Sequence, residues 1–157
     1  MTTYPMEWRD EFSVGIDRLD KDHRDLIAIS RELLDLPLEK RSLAMVAHIV
    51  DKLVTYTTNH FAREEAIMLE YGYPSREAHF REHLHLIRKI VDFQYDLNLG
   101  SSHMIGMRVA MFLNRWLIQH ILMHDKRYSV FFQEHGLADF ASPHPSQASV
   151  IEPQAKQ

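Results

Sequence analysis

The eleven histidines of this 157-residue sequence are its most unusual feature, and several have spacings that could bind a metal. His79 and His83 are four positions apart, as are His60 and Glu64. Residues four apart on an α-helix share a face, so each pair can direct its side chains to one point. Imidazole and carboxylate together suit iron, zinc, copper or nickel. The chain has no cysteine, which excludes thiolate metal sites, iron–sulfur clusters and cysteine nucleophiles.

Two further histidines fall on apolar stripes of helical periodicity. His23 lies four positions after Leu19 and three before Leu26, and His120 lies four after Trp116. Taken singly, such a histidine is more often a hydrogen-bonded core residue than a metal ligand. Taken together, five imidazoles and a carboxylate in one core would be unfavourable without a cation, because a buried charge must be paired. The combination therefore predicts a metal centre.

The number of candidate ligands predicts two metal ions that share bridging carboxylates. Five to seven ligands are more than a single four-coordinate zinc requires. Spacing leaves the last ligand open between two neighbours. His124 lies four positions after His120, the better helical offset, whereas Asp125 lies five after it, ~140° around an α-helix. The need for a second bridging carboxylate favours Asp125.

The elements that must position these residues are predicted to be four long helices. Apolar residues recur at spacings of three and four, without sustained alternation, in four windows that lack glycine and proline. The windows are residues 16–36, 38–71, 75–99 and 107–135. Because short connections make consecutive helices antiparallel, we expect an all-α fold, an up-down-up-down antiparallel four-helix bundle.

Glycine, proline and serine mark the expected ends of these helices. Pro37 closes the first window, and residues 71–74 form a turn after which Ser75 is placed to cap the third helix. Residues 100–102 separate the last two helices, and Gly136 stands where a helix end favours a left-handed residue.

Three parts of the chain are expected: an arm, a bundle and a tail. Residues 1–15 should form an N-terminal arm packed on the bundle, since leaving its large apolar side chains in water is costly. Residues 16–136 should form the bundle itself. Residues 137–157 should be a flexible, disordered tail, because three of the six prolines lie between 141 and 157.

Charge and hydropathy exclude several classes of partner. The net charge is −4, so nothing indicates nucleic acid as a ligand. No uncharged apolar run approaches the roughly 20 residues that span a bilayer, and residues 1–15 lack the apolar stretch of a signal peptide. We therefore expect a protein of the cytoplasm with no membrane span.

Several sequence segments, taken together and in order, carry a family pattern. They are Trp8–Leu26, the run HFAREE at 60–65 with Met68, the pair His79 and His83, and Trp116–His120 leading to Asp125–Tyr128. Over about residues 6–135 the chain resembles the hemerythrin family, specifically the single-domain bacterial hemerythrins. Met68 and Tyr128 match that pattern but are interpreted as core residues, and His124 as a polar residue at the margin of its stripe.

The resemblance implies a non-haem di-iron centre with an oxo or hydroxo bridge. It also implies a role for each candidate ligand. One iron would be held by His79, His83 and His120, and the other, which keeps an open position, by His23 and His60. Glu64 and Asp125 would bridge the two irons, and the wall of a dioxygen pocket would be formed by Leu26, Phe61 and Leu117.

The function implied by the resemblance is reversible dioxygen binding for storage, transport or delivery. Dioxygen would be held as hydroperoxide at the five-coordinate iron, where small anions would also bind. The protein would be a monomer and not an enzyme, with at most weak peroxidase-type activity, and an oxygen-consuming protein would be its partner. The alternatives are an oxygen or redox sensor, a di-iron peroxidase or nitric oxide scavenger, and a protein that handles iron.

Overall fold

The computed structural model describes residues 7–37, 40, 42–100 and 104–136, and within these residues all regular secondary structure is helical. The α-helices are α1 (Asp17–Asp35), α2 (Leu43–Glu70), α3 (Arg76–Asn98), α4 (Ile105–His120) and α5 (Lys126–Glu134). A short 3-10 turn (Asp10–Phe12) precedes α1, and a π-helical turn (Ile121–Asp125) joins α4 to α5. Because the backbone stays right-handed at both junctions, α4, the π turn and α5 form the fourth helix of the fold.

The helices pack in a closed ring, in which α1 contacts α2 and α4, and α3 also contacts α2 and α4. Consecutive helices are joined by short connections and therefore run antiparallel. This arrangement confirms the all-α, four-helix bundle predicted from the sequence. No helix of the described ranges combines the length and apolarity needed to cross a membrane.

Two apolar layers enclose a polar layer that contains the histidines predicted to bind metal. One layer includes Leu26 of α1 and Phe61 of α2, and the other includes Leu19 of α1 and Met68 of α2. His23 lies between the two layers on α1, and Glu64 lies between them on α2. A polar layer enclosed in this way has no bulk water to satisfy it, so its members must satisfy one another or bind a ligand.

The described part of the N-terminal arm is fixed to the end of the bundle by hydrogen bonds. The Asp20 carboxylate accepts from the Val14 N–H at 2.7 Å and from the Ser13 hydroxyl at 2.5 Å. The Ser129 hydroxyl of α5 donates to the Val14 carbonyl at 2.8 Å, and Phe12 is buried. Residues 1–6 and the tail 137–157 lie outside the described residues, so the division into arm, bundle and tail stays a prediction.

The helix ends follow the predicted punctuation with local differences. α2 begins at Leu43, because the Ser42 hydroxyl accepts from the Met45 N–H at 3.2 Å. Ser75 directly precedes α3, but the prediction that it caps this helix is wrong. The Ser75 side chain accepts no hydrogen bond from the first N–H groups of α3. Gly136 ends α5 with φ +68°, the left-handed backbone expected of it.

Candidate metal centre

The π turn decides which of two neighbouring residues enters the core. In a regular α-helix Asp125 would lie ~140° around from His120. A π turn closes with bonds between residues five apart, so here it brings Asp125 to the same face as His120, with Oδ1 3.0 Å from His120 Nε2. Asp125 is fully buried, whereas His124 is only partly buried and its ring stacks on that of His120, with the centroids 5.3 Å apart. The prediction of one continuous α-helix over 107–135 is therefore wrong at this turn.

The two carboxylate oxygens of Glu64 face two different groups of histidines. Oε2 lies 3.0 Å from His83 Nε2 and 3.3 Å from His79 Nε2. Oε1 lies 3.3 Å from His60 Nε2 and 3.8 Å from His23 Nε2. A carboxylate arranged in this way can bind one cation with each oxygen.

Asp125 divides its oxygens between the same two groups. Oδ2 lies 3.2 Å from His23 Nε2, while Oδ1 lies 3.0 Å from His120 Nε2 and 3.4 Å from His79 Nε2. The seven residues thus form a two-histidine side and a three-histidine side that share two carboxylates. Within each of two sets, the ligand atoms lie within 4.8 Å of one another. One set is His23, His60, Glu64 and Asp125, and the other is Glu64, His79, His83 and His120.

Several inward atoms of this cluster lack hydrogen-bond partners. They are Nε2 of His23, His83 and His120, and both carboxylate oxygens of Asp125, which find no hydrogen-bond partner within the described residues. All seven side chains are at most 4% exposed, so water does not satisfy these atoms from outside. Unpaired lone pairs of imidazole and carboxylate converging in a dry core are the donor set of a bound cation. The residues therefore fit a pair of metal ions.

The electrostatics of the cluster keep both carboxylates ready to bind metal. Burial alone would raise the pKa of Glu64, but His60, His79 and His83 together lower it well below its usual value. Burial and the charge of Glu64 would likewise raise the pKa of Asp125, but the adjacent imidazoles of His120 and His23 outweigh them and lower it. Both groups are therefore anionic at neutral pH.

Burial and the neighbouring carboxylates shift the pKa values of three of the imidazoles. Burial lowers the pKa of His23 and of His83, but the neighbouring carboxylates more than offset it, and both pKa values are raised. At His60 burial dominates over the nearby carboxylates and lowers the pKa. Metal binding requires neutral imidazole, so a metal competes with protons at these rings.

Carboxylates behind the histidines hold two of the rings in place. Glu65 Oε1 lies 2.8 Å from His83 Nδ1, and Asp22 Oδ2 lies 3.5 Å from His60 Nδ1. Contacts at Nδ1 turn Nε2 towards the centre of the cluster and fix the tautomer that carries a lone pair there. Sequence reasoning did not find these two residues, because each is acidic and adjoins a candidate ligand in a charged stretch.

Tyr128 belongs to the site, which corrects its interpretation as a core residue only. Its hydroxyl donates to Glu64 Oε1 at 2.5 Å, and its ring lies 5.5 Å from that of His79. Burial and the charge of Glu64 raise the pKa of Tyr128 well above its usual value, so the hydroxyl keeps its proton. Its position three residues after Asp125 was the available signal, since residues three apart share a helix face.

We expect Tyr128→Phe to destabilise the metal-free protein by about 1–3 kcal/mol, the usual loss when a buried hydrogen-bond partner is removed. The loss should be smaller with metal bound, because a cation at Oε1 would satisfy Glu64. Denaturant unfolding with and without metal measures the difference, with Tyr56→Phe as the exposed control. Equal losses in the two states would show that the hydroxyl does not act through Glu64.

A small cavity of about 10 Å³ adjoins the cluster. Both histidines of the two-histidine side, His23 and His60, line it, as do His120 of the other side and the shared Asp125. The three residues proposed as a pocket wall, Leu26, Phe61 and Leu117, line it as well. The Phe61 ring also stacks on His83, with ring centroids 3.6 Å apart. The cavity is thus a mainly apolar space beside the cluster, about as large as one water molecule.

Comparisons with known proteins agree with this architecture. A family model described as "Hemerythrin HHE cation binding domain" matches residues 14–129. A bacteriohemerythrin of Stenotrophomonas maltophilia is 34% identical over 88% of each chain. One of Pseudomonas aeruginosa is 31% identical over 77% of each chain. A crystal structure of wild-type hemerythrin is 26% identical, with a TM-score of 0.73 over 81% of this chain and 97% of that one. The chain therefore belongs to the hemerythrin family.

Proposed function

We propose that this protein binds dioxygen reversibly at a pair of iron ions. The observation that carries the proposal is the division of both carboxylates, since Glu64 and Asp125 each turn one oxygen to the two-histidine side of the cluster and the other oxygen to the three-histidine side. The similarity to proteins named bacteriohemerythrin, and at 27% identity to a protein of Phascolopsis gouldii named myohemerythrin-1, supports iron as the metal and dioxygen as the ligand.

The proposed ligand set is unequal by one histidine. His79, His83 and His120 would hold one ion, His23 and His60 would hold the other, and both carboxylates would bridge the pair. An ion with one imidazole fewer keeps a position free, and the cavity is lined by both histidines of that side and by one histidine, His120, of the other. The side chains thus provide one place at which a small ligand can bind.

The chain's own residues would determine what happens to the bound ligand. A pair of iron ions held by these residues would supply the electrons with which dioxygen binds at the open position. Leu26, Phe61 and Leu117 would exclude water from this place. The five neutral imidazoles contribute no negative charge, whereas ferritin-like centres use four Glu ligands. A ligand set with few anions stabilises high iron oxidation states poorly, which favours release of dioxygen over cleavage of its O–O bond.

The remaining expectations follow from the same centre. Small anions should compete for the open position, and an oxygen-consuming protein of the cytoplasm would take up the released dioxygen. Nothing in the described residues favours the sensor, peroxidase or nitric oxide-scavenging alternatives over oxygen binding.

Absorption spectroscopy under alternating gases tests the proposal. We expect iron-loaded, reduced protein to gain a visible band when dioxygen is admitted and to lose it under argon, over repeated cycles. One dioxygen should bind for every two irons. Irreversible oxidation at the first exposure, or continuous consumption of dioxygen, would contradict the proposal.

A further inference from the structure

Two of the candidate ligands make unequal contacts with the carboxylates behind them. His83 Nδ1 lies 2.8 Å from Glu65, and His83 is the sole ion-pair partner of Glu65 within the described residues. His60 Nδ1 lies 3.5 Å from Asp22, at the limit of a hydrogen bond. His60 and His83 therefore receive different support at the ring nitrogen that points away from the cluster.

The longer contact at His60 coincides with an arginine that is hydrogen-bonded to the Asp22 carboxylate. Arg63 Nε donates to Oδ2 of Asp22 at 2.6 Å, and this is the same oxygen that faces His60. Asp22 is buried, and Arg63 is only 31% exposed, so the pair is shielded from solvent. Arg18 is farther away, at 3.8 Å from the other oxygen, and is 54% exposed.

The position of the pair connects both helices of the two-histidine side. Asp22 directly precedes His23 on α1, and Arg63 directly precedes Glu64 on α2. An imidazole whose Nδ1–H is bonded to a free carboxylate becomes a stronger donor at Nε2. His83 has such a partner in Glu65, whereas the carboxylate facing His60 is neutralised by Arg63.

We propose that Arg63 is a positioning residue that keeps Asp22 from strengthening His60 as a ligand, so that the metal on the two-histidine side is held more easily in its reduced state. This inference rests on the metal pair of the proposed function. If Arg63 acts in this way, the ion at the open position resists irreversible oxidation. Such oxidation would end the ability of the protein to bind dioxygen.

Opposite shifts in the midpoint potential of the iron-loaded protein test the inference. Arg63→Gln frees the Asp22 carboxylate and should lower the potential. Asp22→Asn removes that carboxylate and should raise it, and the double variant should return towards the wild-type value. Arg63→Lys should stay near wild type because it keeps the charge, and the matched control Arg18→Gln should shift the potential less than Arg63→Gln does.

A merely structural role gives a different pattern. Disruption of packing would move both single variants in the same direction, and the double variant would be affected most. Shifts in the same direction, or no shift in Arg63→Gln, would overturn the inference. Thermal unfolding of each metal-free variant checks that the variant folds. If Asp22→Asn does not fold, the comparison of Arg63→Gln with Arg63→Lys still tests the inference.

Cobalt(II) affinity separates this inference from the proposed function. Titration of metal-free protein with cobalt should show tighter binding in Arg63→Gln, where the Asp22 carboxylate is free to support His60. Binding should be weaker in Asp22→Asn, because the positive charge of Arg63 is then left unpaired beside His60. Failure of the wild type to bind dioxygen would overturn the proposed function and leave these cobalt shifts standing. Equal cobalt affinities in a protein that does bind dioxygen would overturn the inference alone.

Discussion

Replacing Glu64 with alanine should cost the protein its metal pair, whereas replacing His124 with alanine should leave both ions bound. Glu64 is the residue whose two oxygens reach both sides of the cluster, at 3.0–3.8 Å from four histidines. His124 contacts the rings of His120 and His79 but belongs to neither set of candidate ligands. Loss of a shared carboxylate removes a ligand from each ion and also leaves several buried imidazoles facing one another.

Metal analysis after anaerobic loading measures this difference directly. The Glu64→Ala protein should retain well under half of the wild-type iron, and His124→Ala should retain nearly all of it. Circular dichroism of both variants provides the control that the bundle is still folded. Equal loss of metal in the two variants would mean that His124, and not Asp125, completes the site.

Leu117→Ala should leave the iron bound but make the oxygenated form of the protein decay faster. Leu117 is buried at 4% exposure, lines the cavity and lies three residues before His120. Truncation should enlarge the cavity and let water and protons reach the bound ligand, so that it is lost as peroxide and the iron stays oxidised. The cavity should also cost about 2–5 kcal/mol of stability, the usual range for a buried leucine.

Stopped-flow decay of the oxygenated spectrum is the measurement, together with the rate of azide entry. Both should be faster in Leu117→Ala than in wild type. Leu33→Ala is a matched control, because Leu33 is equally buried in the same core but does not line the cavity. It should lose similar stability without changing the decay. An unchanged decay in Leu117→Ala would make that residue a core residue only.

Helical periodicity predicted the bundle because the site residues lie on the stripes that hold the helices together. His23 occupies a core position between Leu19 and Leu26, so the pattern that buries the helix also places the imidazole inward. The same apolar pattern thus predicts both the helical bundle and the inward direction of the histidines on its stripes. The resemblance to a family added the pairing of ligands with metals, which periodicity alone does not contain.

The π turn marks where periodicity fails. A period of 3.6 residues favours His124 as the inward partner of His120, and the structure places Asp125 there instead. The extra residue in the turn follows from the local backbone, and a pattern of apolar residues does not report it. Chemistry was the better guide, because a dinuclear centre requires a second carboxylate.

Partners behind the ligands were also beyond the reach of the sequence. Arg63 and Asp22 come from different helices and resemble ordinary surface charges in the sequence, yet their ion pair is largely buried. The hydroxyl of Tyr128 reaches Glu64 across 64 positions. Such contacts depend on the rotation of one helix against another, which apolar periodicity constrains only to a face.

The iron content of protein prepared without oxygen tests the central claim most directly. Seven buried ligand-type side chains in two overlapping sets should bind two ions for each chain. Elemental analysis of anaerobically loaded, desalted protein should therefore return two irons per chain and little zinc. A single metal per chain, or zinc in place of iron, would contradict the dinuclear centre from which the proposed oxygen binding follows.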